Sequence, residues 1–286
     1  MAKTGVLKFL IFISFSICHH RLFSQVFSNN DDAKEKHFVY EVKEIDEFFE
    51  RFNDERGSFI RGVYKAHHVK FNIPRQRLIW SLFNYENMSR DSVMMKKFIS
   101  DVTKKQKPIY LHYYGDDWYV ELTCKFKYNA TSIVIPVIMK IEMTQNKGSK
   151  WMIVGVGSSG LKPKIVVTEM AQSKVKMNII SPTSNGTNFV SLKRAFDDKE
   201  NLSDYFESTD MKNSKMLEFY NAILNGDIDF IDVVKIKYHF LLAGRWLFTV
   251  EDFIRKDLNS GWLINHMEKV SSAGMDNYRS KLLSGN

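Results

Sequence analysis

Within six residues, between His112 and Asp117, the chain places His112, Tyr114, Asp116 and Asp117. An imidazole, a phenol and two carboxylates are the groups that move protons near neutral pH, and Glu121 follows close behind. Such a set would suit a small isomerase, dehydratase or hydrolase if a cavity opened beside a group of perturbed pKa. Asp-Asp after Gly115 is equally ordinary turn chemistry, because Asp side chains bond their own backbone. Flat ligands would stack on indoles. Trp118 and Trp262 are the best placed, and Trp262, directly after Asn259-Ser260-Gly261, is expected at a surface or interface. Trp80, Tyr113 and Trp246 carry the same chemistry, and all five, Trp118 included, stand at helical or strand spacings that also suit a core. The ligand-binding candidates are therefore His112, Tyr114, Asp116, Asp117, Trp118 and Trp262.

Other chemistries find less material. His67 and His68 are adjacent and would point apart on a regular element, while His112, His239 and His266 stand alone. No His-Glu-x-x-His occurs, so no metal centre is expected. Gly155-Val156-Gly157-Ser158-Ser159-Gly160 lacks the Gly-x-Ser-x-Gly spacing of a nucleophile elbow and the Lys-Ser/Thr of a phosphate loop. Ser181 to Asn188 crowds hydroxyls and amides into one turn, which can cap a helix or touch a ligand. Cys124 falls in the apolar register of a strand and reads as a small buried hydrophobe. No catalytic residue and no cofactor are assigned.

These residues need elements to hold them. Val42, Ile45, Phe48, Phe49 and Phe52 recur at helical spacing until Gly57. Pro74 opens a second helix through Leu78, Ile79, Leu82 and Phe83, and Ser89 or Asp91 caps a third that buries Val93, Met94, Phe98 and Val102. From Pro108 the period drops to two. Pro108 to Tyr114 reads as a strand, and Trp118 to Tyr128 alternates strictly, with Glu121 on its wet face. Turns at Asn129-Ala130 and at Gln145 to Gly148 separate it from Thr131–Thr144 and Lys150–Gly157, an antiparallel meander; Lys164 to Met170 is a further strand candidate. Beyond residue 180 the spacing predicts helices ending at Phe196, over Met211–Leu224 with Gly226 as its stop, over Ile228–Leu242, and over Val250–Leu258 capped by Thr249. The segment 228–242 also alternates through Val234, Ile236, Tyr238 and Phe240, and length favours helix. No internal repeat of the first part is apparent there.

Helices followed by a meander that closes on Lys150-Trp151-Met152-Ile153-Val154-Gly155-Val156, with Phe52-Asn53 near the end of the opening helix, resembles the nuclear-transport-factor-2-like family over about residues 38 to 160. The resemblance implies a cone of curved sheet around helices, and cones of this kind often pair as homodimers. Its isomerase members place a carboxylate and an oxyanion donor inside the cone, as in the ketosteroid isomerase used as a standard example of pKa tuning. Here the corresponding inward positions are Phe48, Phe49, Phe52, Val120, Leu122, Cys124, Ile133 and Ile135, which pack but carry no proton. The expected fold class is α+β: helices packed on a curved antiparallel, cone-like sheet over residues 37–170, followed by a mostly helical C-terminal domain over 171–286.

Location is read from the first twenty-five residues. Lys3 and Lys8 precede the short apolar run Phe9–Cys18, and Ser24-Gln25 offers a cleavage point, the layout of a secretory signal peptide. Ile17 stands where lipid attachment at Cys18 would want a small residue. The -Ser-Gln ending is similar to export signals of Gram-negative bacteria, so a periplasmic or extracellular protein is expected, with 26–36 a flexible leader. Lys3, Lys8 and Arg21 account for three units of the formal net charge of +8; the other basic residues are mixed with acids along the chain. Scatter and export argue against nucleic acid and leave room for an anionic surface. The expected function is non-catalytic binding, of a small apolar ligand in the cone or of an envelope protein partner, with no transmembrane segment in the mature chain. The alternatives are the small acid/base enzyme above or a structural component of a surface assembly.

Overall fold

Alternating apolar side chains build one six-stranded antiparallel sheet, ordered β3-β2-β1-β4-β5-β6. The computed structural model describes residues 41–66, 73–88, 92–144, 148–163, 179–207, 214–255 and 259–285. Its strands are β1 (Trp118–Tyr128), β2 (Thr131–Met143), β3 (Ser149–Val156), β4 (Ile228–Leu242), β5 (Trp246–Phe253) and β6 (Gly261–Lys269). Before β1 come α1 (Ile45–Asn53), α2 (Phe59–Ala66), α3 (Arg75–Trp80), α4 (Tyr85–Met88) and α5 (Ser92–Val102). Before β4 come the 3₁₀ turns Pro182–Thr187 and Lys199–Tyr205, with α6 (Ser191–Asp197) between them and α7 (Ser214–Leu224) after; α8 (Ser272–Ser284) ends the chain. The α+β class is as expected.

The two faces of the sheet bury different things. Trp118, Val120, Leu122 and Cys124 pack with Phe48 and Phe52 of α1, Phe98 of α5, Phe196 of α6 and Phe219 of α7 in the main core. Tyr119, Ile138, Leu241 and Leu247 point the other way and are covered by Met275 of α8. α8 lies so close that a Cβ on Gly155 would come within 2.5 Å of the Leu283 carbonyl. Cys124 is fully buried, and burial pushes its thiol far above the usual range, so it packs rather than reacts.

The sheet is two meanders of the same design. In the first, Met139 of β2 faces Ile153 of β3 beside a bulge at Ile138/Met139. In the second, Val250 of β5 faces Ile264 of β6 beside a bulge at Thr249/Val250. Counting back two residues along each third strand makes Trp151 the counterpart of Trp262. Val120 is opposite Met139 as Tyr238 is opposite Val250, and Val120 and Tyr238 face each other across the β1–β4 pair. A two-fold relation between the halves therefore runs between those two residues.

The helical segments cross over this axis. Phe83, from the first half, bridges to Ile264 of β6; Phe206, from the second, bridges to Ile153 of β3. Asn84 N donates to the Ile264 carbonyl and Glu207 N to that of Ile153, each at 2.9 Å. The aromatic packing repeats as well. Phe98 meets Phe52 and Phe83 at 6.2 and 5.9 Å, while Phe219 meets Phe196 and Phe206 at 5.8 and 6.2 Å. Even the helix ends match, since Arg75 donates to the Val102 carbonyl of α5 and Lys199 to that of Ile223 in α7. The expectation of no internal repeat is overturned, because what repeats is position and side-chain class rather than residue identity.

Several further expectations change. Ile228–Leu242 is a strand, not a helix: it pairs with β1 along its length, and the alternation of Val234 to Phe240 was the stronger signal. Val250 belongs to β5, so Thr249 sits mid-strand and caps nothing. Residues 41–286 form one compact unit, and the segment expected to be a mostly helical domain from 171 supplies three strands of the common sheet. Pro108–Tyr114 is not a strand. Asn53 holds Leu111 through reciprocal bonds of 2.9 Å, and Ile109 N donates to Val102, so side chains and a helix end satisfy backbone that a ladder would otherwise take. In α5 the buried stripe is Met95, Phe98, Ile99 and Val102, and Val93 is 77% exposed. The expectations for 1–36, for Cys18, for His67-His68 and for a strand at 164–170 lie outside the described residues.

Candidate functional site

The six candidate ligand residues do not converge. Trp118 is buried in the core, its indole donating to the Tyr113 carbonyl at 2.9 Å and its ring stacked on Phe240. Tyr114 lines a cleft of about 260 Å³ with Asp46, Phe49, Glu50, Glu55, Tyr113 and Pro182. His112 and Asp116 are exposed beside it. Asp117 is half-buried, and its carbonyl accepts from Leu241 N at 2.7 Å. Trp262 is 8% exposed and packs edge-on against Tyr238 at 4.9 Å, so the surface position expected for it is corrected to a buried one; it borders a separate shallow cleft with Glu251 and Asp252.

Electrostatics in the first of these clefts follows burial. Asp46 is raised above its ordinary value by desolvation, against a bond from Asn185, and Glu50 by desolvation, against a bond from Phe59 N. Asp117 is raised for the same first reason, with His112 pulling it down. The Tyr113 hydroxyl is engaged, donating to the Pro182 carbonyl at 3.0 Å.

A carboxylate and a histidine do meet elsewhere. On the outer sheet face, His239 Nε2 lies 2.9 Å from Glu121 and its Nδ1 2.6 Å from the Tyr278 hydroxyl of α8. For a neutral imidazole, Nε2–H donates to the carboxylate and the phenol donates to Nδ1. His239 lowers the Glu121 pKa, mainly through that bond and against burial, while burial pushes Tyr278 up to about 12. Both ring nitrogens are occupied and the ring is buried, and none of the three clefts described here is lined by these residues. The string ties α8 to the sheet.

The largest of these clefts has another chemistry. Between α3 and α5 runs an open groove of about 870 Å³. Burial of Met95, Phe98, Ile99 and Val102 turns Lys96, Ser100 and Thr103, at steps of four and three, onto the flank that faces α3. Leu78 and Ile79 bury the other side of α3 and leave Gln76 and Arg77 outward. Lys104, Lys105 and Gln106 extend the wall past the helix end, and Pro74, Trp80 and Ile99 are its apolar part. Four cations line the groove and no carboxylate does. Lys96 and Lys105 have no ion-pair partner among the described residues.

Arg75 sets the geometry. Its guanidinium donates to the carbonyls of Phe52, Val102 and Ile109 and lies 4.3 Å from the Tyr110 ring, joining α1, α3 and α5. Asp101 ties the end of α5 to the sheet, accepting from Trp246 at 3.1 Å and from Lys269, and it also pairs with Lys104 at 2.8 Å, so that one of the four groove cations is already partnered. Burial pushes its carboxyl up, but the three donors together hold it far below the usual range. The sequence held a signal for this surface: residues 75 to 107 carry eight basic and three acidic side chains. Among the described residues no group of three or more His, Cys, Asp or Glu side chains could hold a metal, and no helix is long and apolar enough to cross a membrane. Comparison with protein-family models, curated proteins and solved structures returned no match.

Proposed function

We propose that this chain is an exported, non-catalytic binding protein whose binding surface is the cationic groove between α3 and α5. The observation that carries the reading is the lining itself: Arg77, Lys96, Lys104 and Lys105 beside Trp80, without a carboxylate. Concave surfaces of one charge sign draw in ligands of the other and hold them most firmly at low salt. Export rests on the layout of Lys3 to Gln25. We read each half-sheet, with the helices that cross onto it, as one cone of the nuclear-transport-factor-2-like kind, so that the chain is a covalent pair. What supports this is the crossed bridging of Phe83 to Ile264 and of Phe206 to Ile153. The aromatic filling of the core, with Phe48, Phe240 and Phe248 in mutual contact, favours the outer groove over an internal apolar site.

Fluorescence anisotropy with labelled tripolyphosphate as probe tests the groove. Binding is expected to weaken linearly in log Kd against log salt and to be lost in the double variant Arg77→Glu/Lys105→Glu. Lys237→Glu, on the outer sheet face, should bind as the parent does. Equal binding by parent and double variant would remove the groove from the account.

A further inference from the structure

We infer that the groove between α3 and α5 recognises an acidic oligosaccharide, a short sugar chain bearing carboxylates or sulfate esters. This rests on the groove being the binding surface. The first argument is spacing. Lys96 and Lys104 are eight residues apart along and just past α5, about 12 Å at helical rise. Arg77 faces them from α3, and Lys105 adds a fourth charge at the end. A single phosphate or carboxylate cannot reach cations so dispersed, so the ligand carries several anionic groups along its length.

The second argument is what lies between the charges. Gln76, Ser100 and Gln106 offer neutral donors and acceptors, which match hydroxyls rather than further anions. Trp80 is half-buried beside Ile99 and Pro74, and one indole face with an apolar surround suits the C–H face of a sugar ring. Single-stranded nucleic acid would want a succession of stacking platforms, and the groove lining has one aromatic ring. A lipid surface would want several large apolar side chains that project, whereas here Pro74 alone is exposed, Trp80 is half-buried and Ile99 is buried.

The third argument is the internal repeat. Counting back from the matched bridges at Phe83 and Phe206, Arg77 corresponds to Glu200 and Trp80 to Ser203. The scaffold is common to both halves, but the cation and the indole occur in one only. The second half keeps the same plan without either.

The test titrates the purified full chain, by calorimetry, with a galacturonate hexamer, a sulfated hexasaccharide, neutral cellohexaose, oligo-dT, tripolyphosphate and phosphatidylglycerol vesicles. The acidic hexasaccharides are expected to bind at least tenfold more tightly than each of the other four, and which of the two is tighter tells carboxylate from sulfate. Trp80→Ala should weaken the acidic sugars at least tenfold and leave tripolyphosphate unchanged; if it does not fold, Trp80→Met keeps the volume without the flat face. Oligo-dT, vesicles or tripolyphosphate binding as tightly as the acidic sugars, with loss in Lys96→Glu/Lys105→Glu, would overturn the sugar assignment while the anion groove stands. Binding to none of the six would remove both.

Discussion

The two halves of the sheet share a plan but differ where their helical segments touch. In the first half, Trp151 of β3 bridges Ile180 in antiparallel fashion, and the residue before it, Lys150, has an ordinary side chain. In the second, the bridge from Val42 is parallel, and the residue before Trp262 is Gly261 with φ +83°. A Cβ there would lie 2.1 Å from the Val42 carbonyl oxygen. Two strands of one design thus receive their partners from opposite directions, and only one needs a glycine. The groove repeats the lesson at the surface: matched segments carry Arg77 and Trp80 in one half and Glu200 and Ser203 in the other. Shared positions carry the common plan, and unshared ones answer to what each half meets, a crossing backbone at Gly261 and open surface at the groove.

The largest expected effect breaks the comparison at that glycine. Gly261→Ala should cost more than about 4 kcal/mol in urea unfolding, because backbone must move and the conformation disfavours any side chain. Lys150→Ala, at the matching position, should cost about 1 kcal/mol. Similar losses in the two variants would mean that the halves are not distinguished in this way. Phe98→Leu and Phe219→Leu sharpen the likeness instead. Each should cost about 1.5 kcal/mol and leave one unfolding transition, since both halves share the sheet. Two separated transitions in either variant would show that the halves unfold independently.

Acidity separates two further regions by sign. Glu121, held below its ordinary 4.5 by His239, contributes stability that is present above that value and lost as pH falls through the lower folded pKa. Asp46, raised above its ordinary 3.8 by burial, acts oppositely: its contribution is present below 3.8 and lost as pH rises through the raised folded pKa. Glu121→Gln should therefore flatten the acid side of a pH series of urea midpoints, and Asp46→Asn the side above pH 3.8, the second only slightly because solvent screens the exposed Asp46. Parallel changes from both variants would contradict the assigned directions. The smallest effect on stability belongs to Lys105→Glu, within about 0.5 kcal/mol, although the same change should weaken anion binding.

How far these features could be read beforehand depended on distance along the chain. β1 was legible because Cys124 and Phe126 alternate with Lys125 and Lys127, a pattern that needs no partner to interpret. β4 carried the same alternation, but a fifteen-residue strand is long, and length outweighed period. The pairing of Glu121 with His239 joins residues 118 apart, and the groove joins α3 to the end of α5, so neither had a local spacing to announce it. Asn53 was noticed for its place at the end of a helix. Its work, holding the backbone at Leu111, appears only when both are in space.

The crossed helices have a consequence for synthesis. Val42 and Phe83 leave the ribosome well before the backbone that they and their neighbours bond, at Ser260 to Ile264, is made. Until then the first half has aromatic faces and unpaired amides but no strand to receive them. A nascent chain stalled before Ile264 lacks the backbone partners of Leu82 and Asn84, so that edge of the first core closes only once β6 is made.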